Sequence, residues 1–157
     1  MVANVEIVAP QIGDVDYIAD NMRDADRIEV RAIANLSPKQ ALERSLYSEV
    51  AYTVVVNDEP CCMFGFARAS ALSDVGVPWL LGTELVNSIP VQFLRKSKQI
   101  VDEFMRSGKY AKLENWIDSE NEVSLRWLTW LGFTVRDDVT LVRGGRTFYY
   151  FNKEGEV

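Results

Sequence analysis

The chain has 157 residues, enough for one ordinary domain with a hydrophobic core of its own. Hydrophobic residues make up 48% and charged residues 25%, which argues against general disorder, and the formal net charge of −6 disfavours nucleic acids and anionic membranes as partners. Histidine is absent, which removes the commonest general base, the Ser-His and Cys-His nucleophile pairs and most zinc sites.

Met1 to Pro10 carries Glu6 and no basic region, so it does not read as a signal peptide, and the cytoplasm is the expected compartment. Within it, Asn4 to Val8 alternates as a short strand. Val15, Ile18, Ala19 and Met22 recur at helical spacing and predict a helix from about Gly13 to Arg23. Asp24 to Asn35 is charged and ambiguous. Ser37-Pro38-Lys39-Gln40 is a helix start with a capping box, and Pro38, Ala41, Leu42, Ser45 and Leu46 form one face of that helix. Ala51 to Val56, the turn Asn57 to Pro60 and Cys61 to Ala69 make a hairpin. The adjacent Cys61 and Cys62 sit in an apolar run and read as buried thiols. A turn at Ser73 to Gly76 leads to a third strand, Val77 to Thr83.

Ser88 is placed to cap a long helix from about Pro90 to Ser107, with the stripe Phe93, Ser97, Ile100, Val101 and Phe104 and a stop at Gly108. Tyr110 to Ile117 is a further strand. Ser119 then caps a helix with the stripe Val123, Trp127, Trp130 and Leu131, ending at Gly132. Phe133 to Val135 and Val139 to Val142 lead through Gly144-Gly145 to a last strand, Thr147 to Phe151. No apolar run approaches the roughly 20 residues of a membrane span. Without repeats or a Pro/Gly-rich linker, residues 1–157 read as a single domain. The order β-α-α-β-β-β-α-β-α-β-β predicts an α/β fold, a mixed sheet flanked by helices. In it Val77–Thr83 and Tyr110–Ile117 are parallel neighbours joined by a right-handed crossover.

That order resembles the GNAT superfamily of N-acetyltransferases along essentially the whole chain. Val54 to Phe66 looks like the family's central hairpin, with Gly65 near the middle of its strand. Asn121-Glu122-Val123-Ser124 through Leu131-Gly132-Phe133 is similar to its Asn, small-residue, Gly-Phe helix motif. The resemblance implies acyl-CoA-dependent transfer to an amine, with acetyl-CoA as the cofactor and a small amine or a protein as substrate. On this reading Glu84, at a strand end, is the candidate base; the alternative is a solvated residue there. Leu85 and Val86 lie in the loop that would meet coenzyme A. Arg95, Lys96 and Lys98 would meet its phosphates or form an ordinary solvated helix face, and Asn121 would contact the pantetheine arm or simply cap its helix.

Two departures count against the cofactor. The family's glycine-rich loop, whose backbone N–H groups cradle the pyrophosphate, is replaced by Glu84 to Val91, which holds no glycine and includes Pro90. Leu128 stands where many members have a tyrosine that protonates the leaving thiolate. Both departures point to the small GNAT-like proteins of tailed phages, including the podovirus internal virion protein that resembles an acetyltransferase. They also open an alternative function, a catalytically degenerate fold that serves in phage assembly, binds a host protein or pairs with its own copy.

The remaining candidates are packing residues unless a pocket recruits them. Tyr110, Tyr149 and Tyr150 are possible acids. Asp24, Asp26 and Glu29 lie where the family's substrate loop runs and favour a cationic acceptor. Trp127 and Trp130 read as core, as do Trp79 and Trp116, which alternatively line a pocket where a GNAT sheet splays apart.

Overall fold

A computed structural model describes residues 3–88 and 91–155. The expected helix start at Pro90 lies outside the described residues. β1 (Val5–Val8) is followed by α1 (Asp14–Asp20), α2 (Asp24–Ala34) and α3 (Pro38–Ser45). A meander of β2 (Val50–Val56), β3 (Glu59–Arg68) and β4 (Val75–Gly82) leads to a 3₁₀ turn, Glu84–Ser88. Then come α4 (Val91–Arg106), β5 (Lys112–Asp118), α5 (Glu122–Trp130), β6 (Thr134–Arg143) and β7 (Arg146–Glu154). The strands form one mixed sheet in the order β1-β2-β3-β4-β5-β7-β6.

Local chemistry accounts for most element ends. Ser37 and Gln40 close the expected capping box on α3. Asn57 and Asp58 both take positive φ in the β2–β3 turn, as do Gly144 and Gly145 between β6 and β7, the geometry that tight hairpins require. Cys61 and Cys62 are buried free thiols.

Three readings of the sequence change. Asp24 to Asn35, ambiguous from its charged sequence, forms α2 and brings the helices between β1 and β2 to three. The cap of α5 is not Ser119 but Asn121, in one of its two expected roles: the Asn121 side chain accepts from the Ser124 N–H at 3.3 Å. The buried face of α5 is accordingly Ser124 and Leu128, while Trp130 is 45% exposed. A shift of one residue turns a helix face by about 100°, so Ser124 and Leu128 take the buried places expected of Val123 and Trp127. Trp127 still packs against the core, and Leu131 is buried as expected. Finally, the two pieces expected after Phe133 are one strand, β6, whose register against β7 slips between Arg136 and Thr140.

Strand alternation sorts the core onto two faces. Met63 and Leu81 pack with Ile18, Ala41 and Leu42 beneath α1 and α3. Cys62 and Phe64 pack with Phe93 of α4, and Phe66, Leu113 and Ile117 with Val101 and Leu128. β4 and β5 are parallel neighbours, as expected, but their ladder runs only through Val75 opposite Lys112 and Gly76 opposite Leu113. Past that point they part, spanned by a hydrogen bond of 2.7 Å from Asn115 Nδ2 to the Pro78 carbonyl. Among the described residues no helix is long and apolar enough to cross a membrane.

Gly65 faces its β2 neighbours so closely that an added Cβ would sit 1.9 Å from the Val50 carbonyl oxygen. Gly65→Ala is expected to cost at least about 1–3 kcal/mol through overpacking. Urea unfolding measures it, and an unmoved midpoint would mean β2 and β3 are not this close.

Candidate active site

Where β4 and β5 part, a cavity of about 560 Å³ opens, within the range that holds small ligands. Its lining comes from both faces of the sheet: Glu29, Val30 and Ile33 of α2 on one, Ser97, Val101 and Leu128 of α4 and α5 on the other. The α2 contribution is a helical stripe, since Asp26, Glu29, Val30, Ile33 and Ala34 recur at intervals of three and four. Of that stripe only Asp26 is buried, because the rest faces open space where a core would otherwise be.

The polar centre is an ion pair with almost no solvent contact. Arg23 and Asp26 are 2% and 1% exposed, and the guanidinium grips the carboxylate with Nε at 2.8 Å and Nη2 at 3.0 Å. Nη2 also donates to Ser124 Oγ at 2.8 Å and Nη1 to Asn87 Oδ1 at 3.3 Å. The same pair caps the diverging end of β4: the Gly82 N–H donates to Asp26 Oδ2 at 2.8 Å, and the Gly82 carbonyl accepts from the Arg23 N–H at 2.9 Å. Burial works to lower the Arg23 pKa, but Asp26 beside it prevails and the net direction is upward. Burial raises the Asp26 carboxyl, while Arg23 and the Gly82 amide act the other way. Three N–H donors on its two oxygens hold it as the carboxylate.

Glu29 lies one turn further along α2, half-buried in the cavity wall. Its Oε1 accepts from the Asp118 N–H at 2.9 Å and from Asn121 Nδ2 at 3.4 Å. Burial, then the charge of Asp26, push its pKa up to about 7; the two hydrogen bonds oppose this and Asp118 adds to it. Asp118 itself is held by Arg146 at 2.8 Å. A carboxyl poised near neutrality in a cleft is suited to proton transfer.

The cavity gathers some of the residues singled out from sequence. Asn121, Asp26, Glu29 and Leu128 line it, as do Trp79 and Trp116, whose half-buried rings are pocket wall rather than closed core. Trp127 lines it too, stacked on Phe93 at 5.6 Å. Glu84, Leu85, Val86, Arg95 and Lys96 are not among the lining residues. Glu84 is exposed and accepts from Asn87 Nδ2 at 2.6 Å. Lys96 donates to the Val5 carbonyl at 2.7 Å, tying α4 to β1, and Arg95 is exposed. Tyr110 is bonded to Glu49 and Tyr150 to Glu114, each phenol pushed up to about 12, by burial first and then by the carboxylate. Arg23 was not legible as a site residue, since its role appears only when residue 23 meets residues 82 and 124 in space.

The two ends of a coenzyme A molecule find unequal reception. The split between β4 and β5 offers a slot for the pantetheine arm, and its wall carries a buried donor with no partner among the described residues, Trp127 Nε1. At the phosphate end, the Leu85 N–H bonds Thr83 Oγ1 at 3.3 Å and the Val86 N–H bonds the Thr83 carbonyl at 3.0 Å. Those two amides are spent inside the 3₁₀ turn.

No protein-family model matches the chain, and no curated protein matches it. Solved structures do. A GNAT-family acetyltransferase from Bacillus anthracis superposes with a TM-score of 0.66 at 10% identity, covering 96% of this chain and 94% of that one. The ribosomal-protein-S18-alanine N-acetyltransferase of Escherichia coli gives 0.59 at 16% identity, covering 98% and 96%. A ribosomal L7/L12 alpha-N-protein acetyltransferase in complex with coenzyme A gives 0.65 at 10% identity, covering 96% and 94%. At such identities the likeness establishes the fold: the chain has the GNAT acyl-CoA N-acyltransferase fold.

Two outcomes follow from the polar centre. Arg23→Met strands the Asp26 carboxylate and is expected to cost about 3–5 kcal/mol, with Arg23→Met/Asp26→Leu recovering part of it, since the Gly82 N–H then loses its acceptor. Urea unfolding of both variants checks this; equal losses would mean the pair is not coupled. Glu29 carries a pKa raised from 4.5 to about 7, so between those values the folded state binds the extra proton. Its contribution to stability therefore falls as pH rises through that window and is flat above it. The stability of wild type relative to Glu29→Gln should decline from pH 5 to pH 8, and a constant difference would contradict the burial of this carboxyl.

Proposed function

We propose that the protein is an acyl-CoA-dependent N-acyltransferase, moving an acetyl group from the thioester to an amine and acting in the cytoplasm. The observation that carries this is the single cavity through the β4–β5 split, with a carboxyl of near-neutral pKa on one face and a slot between α4 and α5 on the other. The thioester supplies the activated acyl carbon. Glu29 receives the proton of the incoming ammonium, so that the free amine can form the new C–N bond as the C–S bond breaks. Asn121 and the Asp118 N–H fix the Glu29 carboxylate in place. Apolar walls from Val101 and Leu128 exclude water from the thioester, and the orphaned Trp127 Nε1 is available to an acceptor oxygen of the arm. Leu128 has no proton to give, so the departing thiolate is protonated through solvent by the second proton that the attacking nitrogen sheds as the amide forms, and Glu29 returns the first to solvent. Catalysis is thus chiefly positioning. Since two of these structural neighbours are acetyltransferases of ribosomal proteins, a protein N-terminus stands beside a small amine in the substrate class.

A second reading has its own support. The Leu85 and Val86 amides and both backbone groups of Gly82 are already satisfied within the chain, which suits a fold that has stopped using coenzyme A. On that reading it is a GNAT-like phage component that assembles into a particle or binds a host protein, with Arg95 and Lys96 as plain surface charges.

Calorimetric titration with acetyl-CoA, followed by a thiol-release assay with amines, separates the two. Acyl transfer predicts binding and turnover, and Glu29→Gln should lower turnover by roughly 10²–10⁴-fold while leaving acetyl-CoA affinity in place. Absence of heat and of thiol release would favour the assembly reading. Turnover untouched by Glu29→Gln would move the base elsewhere, Glu84 first.

A further inference from the structure

The cavity side beneath α2 has a chemistry narrower than amines in general. Leu81 packs with Ile18 and Leu42 under α1 and α3, so Trp79, two residues earlier on β4, faces the same way. Leu113 and Ile117 pack beneath α4 and α5, so Trp116 on β5 faces the opposite way, toward α2. The two indoles therefore stand on the two lips of the split, on one face of the sheet. Val30, Ile33 and Leu141 extend the same wall. Its lining acids are Asp26 and Glu29, and Asp26 is committed to Arg23 and Gly82. Both hydrogen bonds of Glu29 fall on Oε1, and among the described residues Oε2 takes none.

Resting on the acyl-transfer reading of this site, we infer that the acceptor is an apolar, aromatic-sized primary amine with one positive charge, its nitrogen at Glu29 and its hydrocarbon between Trp79 and Trp116. Aromatic faces on both lips suit a ring, and the carboxylate supplies the partner that a buried ammonium needs. A second ammonium finds none. The other lining charges are cationic, Arg44 and Arg143, the latter bonded to the Ile33 carbonyl at 3.2 Å. A polyamine would place its distal charge against guanidinium or hydrocarbon, and an unpaired charge discriminates far more strongly than a missing methylene.

The test is a titration of the full chain, followed by intrinsic tryptophan fluorescence, with 2-phenylethylamine, spermidine and the tripeptide Ala-Ala-Ala, run without acetyl-CoA. Saturable binding of 2-phenylethylamine is expected, stronger than that of the other two. Glu29→Gln and Trp116→Leu should each weaken it by roughly tenfold or more. Trp130→Leu, at an exposed ring outside the cavity, should leave it unchanged. If Trp116→Leu does not fold, Trp116→Phe keeps the ring and should retain most of the affinity while Glu29→Gln still loses it. Preference for spermidine or the tripeptide, or no saturable binding of 2-phenylethylamine, overturns the inference. Thiol release measured in parallel separates the two ideas. Binding of 2-phenylethylamine without release sinks acyl transfer and keeps the binding class; release with spermidine alone sinks the binding class and keeps acyl transfer.

Discussion

A parallel strand pair that hydrogen-bonds at only one end leaves backbone donors and acceptors facing a gap, and the rest of this structure is arranged around that gap. Buried backbone groups need partners. At the far end of β4 these come from the link between α1 and α2 and from the first turn of α2: Met22 bridges Thr83, and Arg23 and Asp26 satisfy both backbone groups of Gly82. The guanidinium then continues to Ser124 on α5, so one side chain links a helix of one face to a helix of the other through the opening in the sheet. The sheet is held open by charge rather than closed by hydrocarbon. A buried pair of this kind is a poor source of net stability compared with apolar packing. Its effect is geometric, since it fixes where the strand end, α2 and α5 sit relative to each other.

That geometry sets the electrostatics of the cavity. With Asp26 held ionised by Arg23, the next acid along the α2 stripe, Glu29, feels both burial and a neighbouring negative charge. Its pKa near 7 thus descends from the requirement to cap β4. The same helix carries Val30 and Ile33 one turn on, so a proton acceptor and an apolar wall arrive together on one face of a short helix. Nothing more elaborate than 3.6-residue periodicity is needed to place them side by side.

Periodicity also explains what was legible in the sequence. Strands with alternating or β-branched runs, the capping box at Ser37, the glycine pair at 144–145 and the parallel β4–β5 neighbours were all visible locally. α2 was not. Its inward stripe begins with two acids, and a helix that faces a cavity has no continuous apolar stripe to announce it. The α5 face was misjudged for a related reason. Trp130 draws attention as core but is half exposed, and the fully buried positions are Ser124 and Leu128, small and medium side chains that let the helix approach the sheet. Asn121, Leu128 and the acid segment were found from the resemblance. Arg23 could not be, because it acts through residues 59 and 101 positions away in sequence.

In the proposed reaction the two substrates see opposite fields. The chain carries a net charge of −6, which draws an ammonium inward, and Glu29 on the α2 side of the cavity supplies its partner. Coenzyme A, whose phosphates are anionic, meets the same field as repulsion. Arg95, Lys96 and Lys98 on α4 oppose it locally; Lys96 is partly committed to the Val5 carbonyl and Lys98 to Asp102 at 3.2 Å. The Leu85 and Val86 amides are engaged as well, so these two offer the pyrophosphate no donor. Affinity for the acyl donor must then come mainly from the uncharged arm in the β4–β5 slot, a contact that salt hardly screens. Acceptor capture, by contrast, depends on an ion pair at Glu29. The two binding events should therefore respond to ionic strength in unlike ways, with the acceptor side the more sensitive. That is the reverse of a protein that cradles phosphates on a glycine loop, and it follows from a segment whose Leu85 and Val86 amides are engaged within the chain.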